Sequence, residues 1–159
     1  MLKGFPPIIA DQPIALILGS MPSVTSLEKQ EYYGFSHNRF WKIMAAFYQV
    51  TFHDYEDKLN CITSHHLALW DVIHMCEREG SLDCAIRNVV PNPIEELILQ
   101  YPSIKFIICN GKKSYVLYQK YFSHLPLPVY SLPSTSNANR TIQETELFQQ
   151  WFSVLETIR

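Results

Sequence analysis

Two polar segments far apart in this 159-residue chain carry residue types suited to a reactive site. Gly19-Ser20-Met21-Pro22-Ser23 follows the apolar run Ile14 to Leu18 and leads into YYGFSHNRFW, Tyr32 to Trp41. Leu132 to Arg140, LPSTSNANR, follows a second apolar run and leads into a helix-like segment. Main-chain N–H groups in a proline-restrained turn can stabilise charge developing on an oxygen, because they are oriented before the reaction begins. Asn38 has a carboxamide that can orient a water, and its place before Arg39 equally suits a helix N-cap. Asp71, late in the apolar run Leu67 to Val72, can accept an N–H from a ligand or cap the turn that follows. Both loops sit at the carboxyl ends of apolar runs, where open α/β sheets place their ligand crevice.

The elements that must position these residues follow from hydrophobic pattern. Ile14 to Leu18, Leu67 to Val72, Ile104 to Cys109 and Val129 to Leu132 read as buried parallel strands. Helical segments lie between them: Arg39 to Tyr48, with Phe40, Ile43, Met44 and Phe47 on one face, then Pro93 to Gln100, Ser114 to Phe122 and Thr141 to Ile158. The alternation predicts a single domain over residues 1–159, a three-layer α/β/α sandwich with a central, mainly parallel four-stranded sheet. Cys61 to Arg87 is less regular, and Gly80 and Ser81 break any long helix there, so a loop with short helical turns is expected beyond the second strand.

Composition bounds the function. A chain of this length buries roughly 70% of its unfolded surface without disulfides or metals. It is 47% hydrophobic and 18% charged, the balance of a soluble globular protein, and no run nears the ~18 apolar residues of a membrane span. The N-terminal residues show no apolar h-region before a small-residue cleavage site, so no secretory signal and a cytoplasmic location are expected. The four cysteines, Cys61, Cys76, Cys84 and Cys109, include no C-x-x-C pair and read as free thiols. His65, His66 and His74 lack a supporting carboxylate or cysteine spacing, so no metal and no cofactor are expected. A net charge of −2 argues against coating nucleic acid by bulk electrostatics, although Arg39, Lys42, Lys112, Lys113, Lys120, His124 and Arg140 could form a local basic face.

The ordered set of GSMP, an aromatic pair, HNRFW and a late LPSTS loop resembles the uracil-DNA glycosylase superfamily, and within it the hypoxanthine (deoxyinosine) glycosylase branch. The resemblance covers most of the chain. The mismatch-specific branch places a catalytic asparagine at the third position of the first loop, where this chain has Met21; in the hypoxanthine branch the corresponding residue lies at the following helix start and maps onto Asn38. The resemblance therefore implies Asn38 as the catalytic residue, orienting water through its amide oxygen. It implies a base pocket from Gly19, Ser20, Met21, Pro22, Tyr33 and Asp71, with Tyr32 and Phe35 as rivals for the stacking role. Asp71 as a carboxylate would accept N1–H of hypoxanthine. In the late loop, Ser134 and Ser136 would pinch a phosphate, Asn137, Ala138 and Asn139 would stand at the gap left by the flipped base, and Arg140 would approach the backbone or the opposite strand. The implied partner is DNA containing deaminated bases, bound by a monomer.

No lysine occupies the asparagine or loop positions, so a Schiff base with strand cleavage has little support and a monofunctional hydrolase is expected. The rival of another class is a non-catalytic α/β nucleotide-binding module, which would lack both a G-x-G-x-x-G and a P-loop lysine here.

Overall fold

A computed structural model describes residues 1–159. In chain order the elements are β1 (Leu2–Lys3), β2 (Ile8–Ile9), β3 (Ala15–Gly19), α1 (Val24–Lys29), α2 (Phe40–Tyr48), α3 (Tyr55–Ser64), β4 (Leu67–Asp71) and β5 (Ile73–Glu77). A 3-10 turn at Asp83–Ala85, β6 (Arg87–Pro91), α4 (Ile94–Gln100), β7 (Phe106–Asn110), α5 (Lys112–Phe122), β8 (Val129–Leu132) and α6 (Glu144–Ile158) complete the chain.

The main sheet has the order β2-β4-β3-β7-β8. β4, β3, β7 and β8 are mutually parallel and are the four strands expected from the apolar runs. Every residue of β3 and β4 is buried, as continuous apolar strands in a sheet covered on both faces must be. A fifth strand, β2, pairs antiparallel with β4. It was not legible as a strand because it is two residues long, below the length at which alternation can be read. The three-layer α/β/α class stands, with five strands where four were expected.

Helices cover this sheet: α3 packs on β2 and β4, α5 on β7 and β8, and α6 on β8 and α2. α6 buries Leu147, Trp151, Leu155 and Ile158, a one-sided apolar stripe at helical spacing. Trp151 meets Phe40 of α2 edge-on, with ring centroids 5.9 Å apart.

The expectation of a loop with short helical turns beyond the second strand is corrected. Beyond β4 the chain turns straight into β5, which pairs antiparallel with β6 and with β1 in a separate three-stranded sheet. Only the short 3-10 turn between β5 and β6 matches the irregular reading. The register of β5 with β6 is shifted twice, which blurs the alternation that marks a hairpin in sequence.

Candidate active site

Two indole N–H groups fix the site's frame. Trp41 Nε1 of α2 donates to the Tyr32 carbonyl at 2.8 Å, anchoring the aromatic pair ahead of its own helix. Trp151 Nε1 of α6 donates to the Pro133 carbonyl at 3.0 Å, anchoring the start of the late loop. Between the carboxyl ends of β3, β4, β7 and β8 opens a cleft of about 960 Å³. It brings together Gly19, Ser20, Met21, Pro22, Tyr33, Asn38, Asp71, Ser134, Ser136, Asn137 and Ala138, all named from the sequence. Arg140 lies outside it, exposed on the outer side of the loop in a shallow hollow with His37 and Asn137.

Asn38 is not the helix N-cap expected from its position: that place falls to Arg39, and Asn38 stands one residue ahead, bonding the first helical N–H. Its Oδ1 accepts from the Phe40 N–H and from the Thr135 hydroxyl, each at 2.9 Å. The backbone donor fixes which end of the carboxamide is oxygen. Both lone pairs of that oxygen are thereby taken, so the amide oxygen is not the group available to a water; Nδ2, which bonds to nothing in the chain, is. This corrects the expectation that the oxygen orients water.

Behind Asn38 lies a network that the sequence did not disclose. Asn110, at the end of β7, accepts the Thr135 N–H through Oδ1 at 3.0 Å and donates from Nδ2 to Thr135 Oγ1 at 3.0 Å and to the Tyr33 hydroxyl at 3.2 Å. A directed chain therefore runs from Asn110 through the fully buried Thr135 to Asn38. Asn110 was findable, since it closes the apolar run of β7 just as Asp71 closes that of β4. Thr135 lies within the late loop, where nothing local distinguishes it from Ser134 and Ser136.

Tyr33 stacks on Phe40 at 4.2 Å between centroids and holds a left-handed backbone, φ 52°. Phe40 thus covers one face of its ring. Tyr32 is buried, with its hydroxyl on the Pro6 carbonyl, and is a core residue. Phe35 lines the cleft and stays a rival for base stacking.

Asp71 does not cap the following turn; its carboxylate makes no hydrogen bond in the chain, and Oδ2 is sealed from solvent without a partner. Oδ1 lies over the Gly19 backbone so closely that a Cβ there would come within 2.4 Å of it, which is why this strand end requires glycine. Burial first, and the Asp83 charge second, push the carboxyl up to about 7.

In the first loop, the carbonyls of Gly19 and Ser20 accept from Val72 and Ile73, while the Ser20 and Met21 amides donate to none of these turns. Arg78 donates to the carbonyls of Pro22 and Gly80, and the Ser20 hydroxyl donates to Asp83, so the residues between β5 and β6 strap the cleft mouth. No local pattern in the sequence marks that strap.

Of the cations expected to form a basic face, Lys112 and Lys113 line the cleft. Arg39 does not face outward: its guanidinium donates to the carbonyls of Thr135, Ser136 and Asn139, clamping the late loop onto α2. Lys42 pairs with Glu144 and His124 with Glu95. At the other end of the late loop, Gly111 holds φ 97° where a Cβ would press on Ser134 at 3.0 Å. No group of three or more histidine, cysteine, aspartate or glutamate residues is arranged to hold a metal.

This layout matches a known family. The model of the uracil DNA glycosylase superfamily matches residues 6–156. The chain belongs to the uracil DNA glycosylase superfamily. Among similar superfamily proteins, a hypoxanthine DNA glycosylase of Methanosarcina acetivorans is 35% identical over 87% of this chain and 88% of its own. The hypoxanthine DNA glycosylase of Methanosarcina barkeri is 33% identical over the same shares. A solution structure from M. acetivorans, named as a candidate uracil DNA glycosylase, superposes with a TM-score of 0.86 at 32% identity, over 98% of this chain and 97% of that one.

Proposed function

We propose that the protein is a monofunctional DNA glycosylase that hydrolyses the N-glycosidic bond of deoxyinosine and leaves an abasic site. The observation that carries this reading is the convergence of Asn38, Tyr33 and Asp71 on one cleft, in a superfamily chain whose similar proteins are named for hypoxanthine. The target nucleotide must leave the stack before its bond can be reached, and the cleft is large enough for a purine.

Bond breaking leaves an oxocarbenium-like sugar and a base gaining negative charge. Asn38 Nδ2 donates to the oxygen of a water beneath C1′, which leaves a lone pair of that oxygen for the sugar. The Ser20 and Met21 amides supply donors for the base, preorganised by the straps on Pro22 and Ser20. Tyr33 or Phe35 stacks on the flipped base. Ser134 and Ser136 bind a backbone phosphate, Asn137 and Ala138 enter the vacated stack, and Arg140 meets the backbone from outside the cleft. The enzyme acts as a monomer in the cytoplasm and uses no metal or cofactor.

Uracil removal is the second reading, favoured by the description of the solved M. acetivorans structure. Labelled duplexes carrying inosine, uracil or xanthine, treated with excess protein and then alkali, separate the two. Cleavage of inosine above uracil, unaffected by chelator, is expected; no cleavage of any lesion, or cleavage only with added divalent metal, refutes the proposal.

A further inference from the structure

We propose that Asp71 works as a neutral carboxylic acid that delivers its proton to N7 of the departing purine. The role rests on the deoxyinosine glycosylase reading and adds to it a leaving-group step.

Three observations carry it. Asp71 lines the cleft at the end of β4 yet is only 4% exposed, and its Oδ2 is enclosed without a donor. A carboxylate oxygen so placed is far costlier than a carboxylic acid. Oδ1 lies against Gly19, whose missing side chain leaves the acid its place on the cleft floor. The groups facing Asp71 reinforce the neutral form: Asp83 on the 3-10 turn is a like charge, and the phenols of Tyr32 and Tyr33 ahead of α2 are themselves held uncharged by burial. Only Arg78 favours the carboxylate, and its hydrogen bonds go to the Gly80 and Pro22 carbonyls.

The C1′–N9 bond breaks with its electron pair going to the purine, and the Asp71 proton passes to N7, so hypoxanthine departs neutral. Water oxygen bonds to C1′ and releases one proton to solvent, and the Asp71 carboxylate recovers one proton from solvent.

The test is single-turnover cleavage of inosine-containing DNA at saturating enzyme, from about pH 5 to pH 9, for the parent and Asp71→Asn. The parent rate is expected to hold below about 7 and to fall up to tenfold per pH unit above it. Asp71→Asn is expected to be slower at pH 6 by on the order of 10²-fold and to lose that descending limb. A parent rate that climbs through the same range, marking the carboxylate as the working form, overturns the proposal. So does an Asp71→Asn protein that keeps the parent's rate and limb. The parent profile alone fixes the sign, so a poorly folded variant cannot rescue the idea. Absence of inosine cleavage at every pH removes the glycosylase reading, and this role with it.

Discussion

The Thr135 hydroxyl donates to Asn38 Oδ1 at 2.9 Å, joining the late loop to the start of α2 across 97 residues of sequence. The contact aligns the Asn38 carboxamide from behind, so that its Nδ2 is the end left for a reactant. Removing the hydroxyl with Thr135→Val is expected to lower single-turnover cleavage roughly 10- to 100-fold and to destabilise the fold by about 1–3 kcal/mol, since the buried Asn110 and the half-buried Asn38 each lose a hydrogen bond. Thr135→Ser keeps the hydroxyl and is expected to restore the rate more fully than the stability. A serine variant as slow as the valine one, in a folded protein, would detach Thr135 from the chemistry.

Asn38 offers a sharper separation of structural bonding from catalysis. Asn38→Asp can still accept from Phe40 N–H and Thr135, so the helix start is expected to survive, but the donor Nδ2 is gone and a negative charge takes its place. Asn38→Ala loses both and is expected to cost on the order of 10²-fold in rate, with about 1 kcal/mol of stability from the lost hydrogen bonds. Urea denaturation beside single-turnover kinetics checks the pair: stability near the parent with lost cleavage is the expected result for the aspartate, and an active aspartate variant would rule out Nδ2 as the working group.

How much of this was legible depended on whether a residue's signal was local. The four parallel strands were, because continuous apolar runs between helical patterns leave few alternatives. So were both loops, because a strand end marks the crevice. Asn38 was legible only in part: its place ahead of the helix is visible in sequence, but the N-cap falls one residue on at Arg39, and which end of the amide is free depends on Thr135, far along the chain. Arg39 reads as a surface cation beside other cations, and only the folded loop shows that three carbonyls hold its guanidinium. The β5–β6 hairpin and its strap were missed because bulged register and an exposed, polar connection leave no period to read.

Asp71 makes stability depend on pH with a definite sign. Its carboxyl is raised to about 7 by burial and by Asp83, so the folded chain retains a proton that the unfolded chain has released. The group's stabilising share is complete below its ordinary range near 4 and is lost as pH rises through about 7. A shift of this size corresponds to about 4 kcal/mol at the most. Asp71→Asn has no such proton to lose, so its melting temperature is expected to gain on the parent between about pH 5 and pH 8. Parallel melting curves at both pH values would contradict the shift.

Arg140 and Arg39 predict different failures of the same loop. Arg140 is exposed and free of side-chain partners, so the phosphate contact proposed for it would form by releasing counterions. Arg140→Ala is expected to weaken binding to inosine-containing DNA and to lower the salt slope by about 1, leaving stability unchanged. Arg39→Ala instead frees the carbonyls of Thr135, Ser136 and Asn139, so the loop loses its clamp, and with it the Thr135 contact to Asn38. Its expected signature is slow cleavage at saturating enzyme and a salt slope equal to the parent's. Arg39→Lys cannot span three carbonyls with one ammonium and is expected to recover little. Ala138 is too small to wedge strongly between bases, so both variants are best compared on inosine opposite thymine and opposite cytosine, and on single strands, where weak pairing substitutes for a wedge. If Arg39→Ala altered the salt slope while Arg140→Ala slowed only the chemistry, the two assignments would have to be exchanged.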